Sequence, residues 1–423
     1  MTARVTRRRF VKAAAASAAA AAFPIPAIAQ DKTRVVIVGG GFGGVSCARA
    51  LRKIGAKIDV TLVERSPVYI APPHSNAALG GLASIGSLRF GYDRVRALGV
   101  DVIFSALAGV DHAKRRAVLA DGRGLPFDRL VISPGIAFRD DAIEGYDAAA
   151  RAAMPPAFTS GDEIETLRRQ LVAMPDGETV IVTVPVSPAR CPPAPYERAS
   201  LIAHYLQREK PRSKVIILDA KDSFSMQRLF QSAWRELYPG LIEWVGLSDG
   251  GAPTAVDAAT RTVTTDFDKF KGGVVNIIPP QRAGRAADLA GVADRTGWCP
   301  VDPVTFESTL QKGIHVIGDA AIAGAMPRSA SAAQSQGGIC AAAIAVLLAG
   351  GKPATPLLRS SCFSLIAPDY AISQRGTYRP EDGQYVEADP VAVSPADAPR
   401  ALRAEEAKEA EIWFHRITET IFG

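Results

Sequence analysis

Short apolar, β-branched runs alternate with helix-period segments along most of this chain. RVVIV (34–38) is a strand-like run that passes directly into GGGFGG (39–44), and a helix is expected to follow through Leu51. DVTLVE, ending at Glu64, predicts a second strand, and residues 102–104 predict a further parallel one. RAVLADGRGLPFDRLVISPG (116–135) predicts a hairpin turning at Asp121-Gly122, then a strand that stops at Pro134-Gly135. A helix over 161–174 precedes the buried-type strand TVIVTVPV (179–186), and an apolar-periodic helix runs on past Leu206. SKVIILDA (213–220) and VVNIIPP (274–280) add two strands, and QKGIHVIGDAA (311–321) adds another before an Ala-rich helix over 330–348. Alternation over 360–378 predicts strands, and AEEAKEAEIWFHRITETIFG predicts a closing helix that packs on a partner or on the protein body.

Composition narrows the class without changing this picture. The 423 residues are 48% hydrophobic and 22% charged, as in soluble globular proteins. The net charge of +6 comes without a basic cluster interleaved with aromatics, which argues against nucleic acid as a partner. TRRRFVK (6–12), an Ala-rich stretch and Ala27-Ile28-Ala29 form a twin-arginine export signal with a small-x-small cleavage site over residues 1–29. Its apolar part is too short for a convincing membrane span. A periplasmic location is therefore expected, where disulfides are permitted. The closing helix opens with Glu405, Glu406, Glu409 and Glu411, which argues against membrane docking and stable insertion.

The chemistry begins at the glycines. Gly39, Gly41 and Gly44 fit G-x-G-x-x-G between a strand and a helix, the setting in which backbone N–H groups hold a pyrophosphate. Glu64 ends the second strand, about 20 residues on, where a carboxylate takes ribose hydroxyls. Gly318-Asp319 ends a later strand, where such an aspartate meets a flavin's ribityl chain and pyrophosphate, and this favours FAD over NAD. The middle segment repeats the doubly wound pattern, but its first turn, ARCPPAPYERAS (189–200), has no glycine. NAD(P) is not expected there, and Asp219 is read as a strand cap rather than a ribose ligand. His315, inside an apolar strand, is read as a core histidine. Of five cysteines, Cys47 and Cys340 look like core residues and Cys299 structural by default. Cys191 and Cys362 each follow an end of apolar structure in a polar context, where a thiol could face a cofactor; spacing alone does not pair them. No Cys/His spacing suggests a metal, and no CxxCH suggests that this chain carries haem c.

GGGFGG with its acid, FDRLVISPG, CPPAPYERAS, IGDAA, SSCFSLIAPDYAIS and WFHRITETIFG together resemble the flavin subunit of flavocytochrome c sulfide dehydrogenase, in the superfamily of sulfide:quinone oxidoreductase. The resemblance implies an α/β fold with two Rossmann-like doubly wound domains, disulfide-reductase-like, plus a C-terminal interface domain. The corresponding bounds are a first FAD-binding part at 30–153, a degenerate NAD-like domain at 154–284, a second FAD-binding part at 285–354 and the interface domain at 355–423. It further implies that Cys191 and Cys362 form a disulfide beside the flavin and that Glu197 is the proton-transfer residue. Hydrosulfide would attack the disulfide, leaving a persulfide on one cysteine, with electrons passing through FAD to a c-type cytochrome on a partner subunit or in solution. Which cysteine takes the sulfur stays open. One departure stands out: family members often attach FAD through a cysteine in YxxCxxSN, and here YIAPPHSN (69–76) has Pro72 at that position. FAD is therefore expected to be noncovalent. The rival readings are sulfide:quinone oxidoreductase and a non-catalytic flavoprotein subunit of a sulfur-oxidation complex.

Overall fold

The computed structural model describes residues 32–55 and 57–423, so the expected export signal lies outside the described residues. In chain order the first half supplies β1 (Thr33–Val38), α1 (Phe42–Ile54), β2 (Ile58–Glu64), the short α2 (Ser75–Leu79), β3 (Asp101–Phe104), β4 (Arg129–Ile132), α3 (Glu163–Ala173), β5 (Thr179–Val184), α4 (Ala194–Glu209) and β6 (Lys214–Asp219). The second half adds β7 (Ile242–Val245), β8 (Val274–Asn276), β9 (Ile314–Val316), α5 (Ala330–Leu348), β10 (Leu358–Ala367), β11 (Tyr370–Glu381) and α6 (Arg400–Phe422).

β1 is buried from Val35 to Val38, as a strand covered on both faces must be. It sits at the centre of a parallel sheet ordered β9-β4-β1-β2-β3, with Val35 beside Val60 on one side and Arg129 on the other. The middle segment builds a second parallel sheet, β7-β6-β5-β8. In both sheets the order reverses at the first strand, which opens a crevice beyond its C-terminal end. The glycine loop leaves β1 at that point, and the Cys191 segment leaves β5 at the equivalent one. The chain crosses between the sheets through a two-stranded ribbon, Ile136–Phe138 antiparallel to Gln281–Ala283. Ile143, Tyr146, Ala150 and Met154 pack with Ile181, Ile216 and Val263, so the segment just before residue 154 shares the core of the middle sheet.

Two later elements close the structure over the first sheet. Among the described residues α5 is the one helix long and apolar enough to cross a membrane, by length and composition, and here it packs against α1 and β10. Gly337 permits this approach: a Cβ there would lie 2.5 Å from the Gly43 carbonyl. β10 and β11 form a hairpin, and α6 lies along β11. The end of α6 is anchored by Phe422, whose ring lies 5.3 Å from Tyr69, 5.8 Å from Phe42 and 5.1 Å from Phe90. The aromatic end of the closing helix therefore packs on the protein body.

Candidate active site

A cavity of about 1220 Å³ runs from the glycine loop to β10. Gly39, Gly41, Glu64, Cys191, Glu197, Gly318, Asp319 and Cys362 all line it, while Gly44 lies beneath the loop. The three fingerprint glycines have different reasons to be glycine. Gly39 has φ +105°, and a Cβ on it would lie 2.1 Å from the Ser133 carbonyl. A Cβ on Gly44 would lie 1.9 Å from the Gly39 carbonyl. Gly41 has an ordinary φ, and its Cβ would meet nothing nearer than the Tyr69 hydroxyl at 3.4 Å. The protein thus leaves room at Gly41 on the cavity side, a cradle that a methyl group would fill. No side chain caps the first turn of α1, whose N–H groups are left for a ligand.

Glu64 accepts the Gly40 N–H at 2.6 Å through Oε2 and the Ser66 N–H at 3.1 Å through Oε1. Each oxygen keeps acceptor capacity for a ribose hydroxyl. Asp319 lies 3.7 Å from the Arg190 guanidinium; burial pushes its pKa up, with Arg190 and Arg328 opposing. This donor and acceptor set, with the Gly41 cradle, fits FAD. Pro72 lines the same cavity and offers no sulfur for an attachment bond.

Asp219, read as a strand cap, is engaged within the protein. Its side chain is fully buried and accepts bonds from the Tyr196 hydroxyl at 2.5 Å, Trp244 Nε1 at 3.0 Å and Lys221 Nζ at 2.7 Å. It does more than end a strand, because it ties α4, β7 and the loop after β6 together. His315 is fully buried in β9, with Nδ1 2.9 Å from the Thr305 carbonyl, so the core reading stands.

Cys191 holds a left-handed backbone, φ +46°, which is uncommon for a residue with a Cβ. Its N–H donates to the Arg328 carbonyl at 2.8 Å, and its carbonyl accepts the Ala194 N–H at 2.9 Å. These bonds fix the turn that leads into α4. The expected position of Cys362 needs correction: it does not follow the end of an apolar element but lies within β10, opposite Gln374, and is 7% exposed. The alternation that predicts a strand here turns Cys362 inward, on the same buried face as Leu358, Ser360 and Ser364. Both cysteines are free thiols in the structure. Burial pushes the Cys191 thiol well up, and the nearby Cys362 and Glu197 add to this. Burial also raises Cys362, but hydrogen bonds with Ser329, Gln374 and Ser360 hold it down.

Glu197 sits in the first turn of α4. Its Oε1 accepts the Leu365 N–H at 2.9 Å and its Oε2 accepts Asn76 Nδ2 at 2.8 Å. Burial nonetheless pushes its pKa up to about 7 against these donors and Arg198. Sequence reasoning missed the residues behind it. Asn76 Oδ1 accepts Arg198 Nε at 3.0 Å, and Arg198, 1% exposed, reaches Asn276 Oδ1 at 2.8 Å and the carbonyls of Pro156 and Ala157 at 2.9 and 2.6 Å. Burial lowers the Arg198 pKa to about 10. The signal available was an arginine on the apolar side of a helix, directly after Glu197.

The arrangement brings a thiol pair and a near-neutral carboxyl to one dinucleotide-sized cavity. Three family models match the chain. Pyridine nucleotide-disulphide oxidoreductase matches residues 33–182, the central part of the sulfide dehydrogenase [flavocytochrome c] flavoprotein chain matches 164–279, and the flavocytochrome c sulphide dehydrogenase flavin-binding model matches 354–422. The sulfide dehydrogenase [flavocytochrome c] flavoprotein chain of Chlorobaculum thiosulfatiphilum is 57% identical over 44 residues, 92% of that short sequence and 10% of this chain. The mitochondrial sulfide:quinone oxidoreductase of Dictyostelium discoideum is 23% identical over 69% of this chain, which spans 66% of that protein's length. The solved sulfide:quinone oxidoreductase of Aquifex aeolicus has the same fold, with TM-score 0.70, 14% identity and 92% coverage of both chains.

Proposed function

The chain belongs to the family of flavocytochrome c sulfide dehydrogenase flavoprotein chains, and from that premise we propose that it oxidises sulfide in the periplasm and passes the electrons through FAD to a c-type cytochrome. The observation that carries this reading is the meeting of Cys191, Cys362 and Glu197 at the cavity that also holds the glycine loop and Asp319. FAD, when bound, supplies a two-electron acceptor that can release its electrons singly to a haem. The chain's own residues do the rest. In the oxidised enzyme Cys191 and Cys362 are joined, and hydrosulfide opens the bond to give a persulfide and a thiolate. Ser329, Ser360 and Gln374 stabilise a thiolate on Cys362. Glu197, oriented by Asn76 and the Leu365 N–H, takes up the S–H proton of the persulfide near neutrality.

Anaerobic titration with sulfide tests this. Cys191→Ser and Cys362→Ser should each retain FAD and lose bleaching by sulfide; normal bleaching in both would rule out the disulfide mechanism. Reoxidation by a c-type cytochrome, rather than by a soluble quinone, distinguishes the proposed acceptor from that named for the Aquifex and Dictyostelium relatives.

A further inference from the structure

Cys191 lines two cavities. The second, of about 250 Å³, shares Phe158, Arg190 and Cys191 with the large one, and Cys362 lines only the large one. Val184, Pro185, Pro195 and Phe224 frame this second cavity at the C-terminal end of β5, the end at which open parallel sheets take ligands. Its volume falls below the roughly 300–1,000 Å³ of drug-sized sites, so it excludes a dinucleotide while leaving ample space for a small anion.

The polar lining is made for an anion. Arg190 and Lys221 bring positive charge to the lining, which holds no carboxylate; their partners Asp319, 3.7 Å from Arg190, and Asp219, 2.7 Å from Lys221, lie outside it. Lys221 Nζ bonds Asp219 Oδ1 and the Pro185 carbonyl, which leaves it a third N–H. Gln281 is 4% exposed. Its Oε1 accepts the Arg190 N–H at 2.7 Å, which fixes the orientation of the amide, and its Nε2 has no partner. A buried donor without an acceptor is costly, so it marks where an acceptor belongs.

We propose that this cavity is the port through which a small sulfur anion, hydrosulfide first, reaches the cysteine pair, and that Cys191 is the sulfur it attacks. The inference rests on the sulfide-oxidising reading above and extends it. Hydrosulfide sulfur bonds to Cys191 Sγ as the Cys191–Cys362 bond breaks. The electron pair of that bond leaves with Cys362 as a thiolate, and the hydrosulfide proton stays on the outer sulfur of the persulfide. One anion enters and one is left. Cys362 is the better leaving group, because two hydroxyls and an amide stabilise its thiolate, whereas at Cys191 only the Arg190 charge opposes burial.

The test is anaerobic single-turnover reduction of the FAD-loaded protein by sulfide, with alkylation and peptide mass spectrometry at partial turnover. In the unmodified protein the extra sulfur should lie on the Cys191 peptide. Gln281→Leu should slow flavin reduction by sulfide roughly tenfold, the loss of one hydrogen bond to a charged group, and Ser223→Trp at the exposed rim should slow it by obstructing the mouth of the cavity. Both should leave reduction by dithionite unchanged, a readout that also reports intact folding. Extra sulfur on Cys362, or wild-type rates with sulfide in both variants, would overturn the port. A wild-type protein whose flavin ignores sulfide would instead overturn the sulfide reading itself, and the port with it.

Discussion

Glu197 is pulled in two directions: its two donors favour the carboxylate, and burial favours the acid. With its pKa near 7 it accepts a proton above that value and is already protonated below it. Flavin reduction by sulfide should therefore slow as pH falls through about 7. Glu197→Gln should lose that step. The ionisation of sulfide itself is common to both proteins, so the ratio of their pH profiles isolates the carboxyl, and a flat ratio would exclude it from proton transfer. Pro72 gives a second expectation at this scale. Acid or heat denaturation should release the yellow cofactor, and colour that stays with the chain would show a bond at another residue. The sequence made Cys191, Glu197 and Pro72 legible because each sits in a short contiguous motif. Asn76, Arg198 and Asn276 were not legible as a network, because their partners lie 78 to 122 positions away along the chain.

The glycine loop separates folding from binding in a way that can be measured. Gly44→Ala forces a Cβ to within 1.9 Å of a carbonyl and should destabilise the apo-protein by about 1–3 kcal/mol. Gly41→Ala has room within the protein and should leave the apo melting temperature nearly unchanged while weakening FAD binding. Calorimetry of the apo forms, followed by FAD titration, checks both, and equal losses of stability would refute the distinction. Elements were read well where one period held: β1, β5, β6 and α5 fall where the apolar runs predicted. Cys362 was harder. The alternation over 360–378 predicted strands, but serines on both sides of Cys362 left its facing open; the pairing of β10 with β11 sets it, with Ser360 Oγ 3.1 Å from Ser329 Oγ and the Ser361 N–H donating to Ser331 Oγ at 3.1 Å.

At the scale of the whole molecule, the two parallel sheets, the hairpin and α6 close around the cavity, and their arrangement could not be read from local patterns alone. One carboxyl stands where three parts join: Glu197 comes from α4 after the first strand of the middle sheet, Asn76 from the short α2 packed on α4, and the Leu365 N–H from β10. That junction ties thermal endurance to catalysis. A carboxyl whose pKa rises from 4.5 to about 7 on folding contributes stability fully below 4.5, and this contribution is lost as pH rises through 7. The loss attributable to Glu197 is up to about 3 kcal/mol. Denaturant unfolding from pH 4.5 to 8 should show this decline, and Glu197→Gln should flatten it; parallel profiles would rule the carboxyl out as its source. The protein would then tolerate heat least in the pH range where it works fastest, so an enzyme of this design meets its thermal limit first in alkaline surroundings.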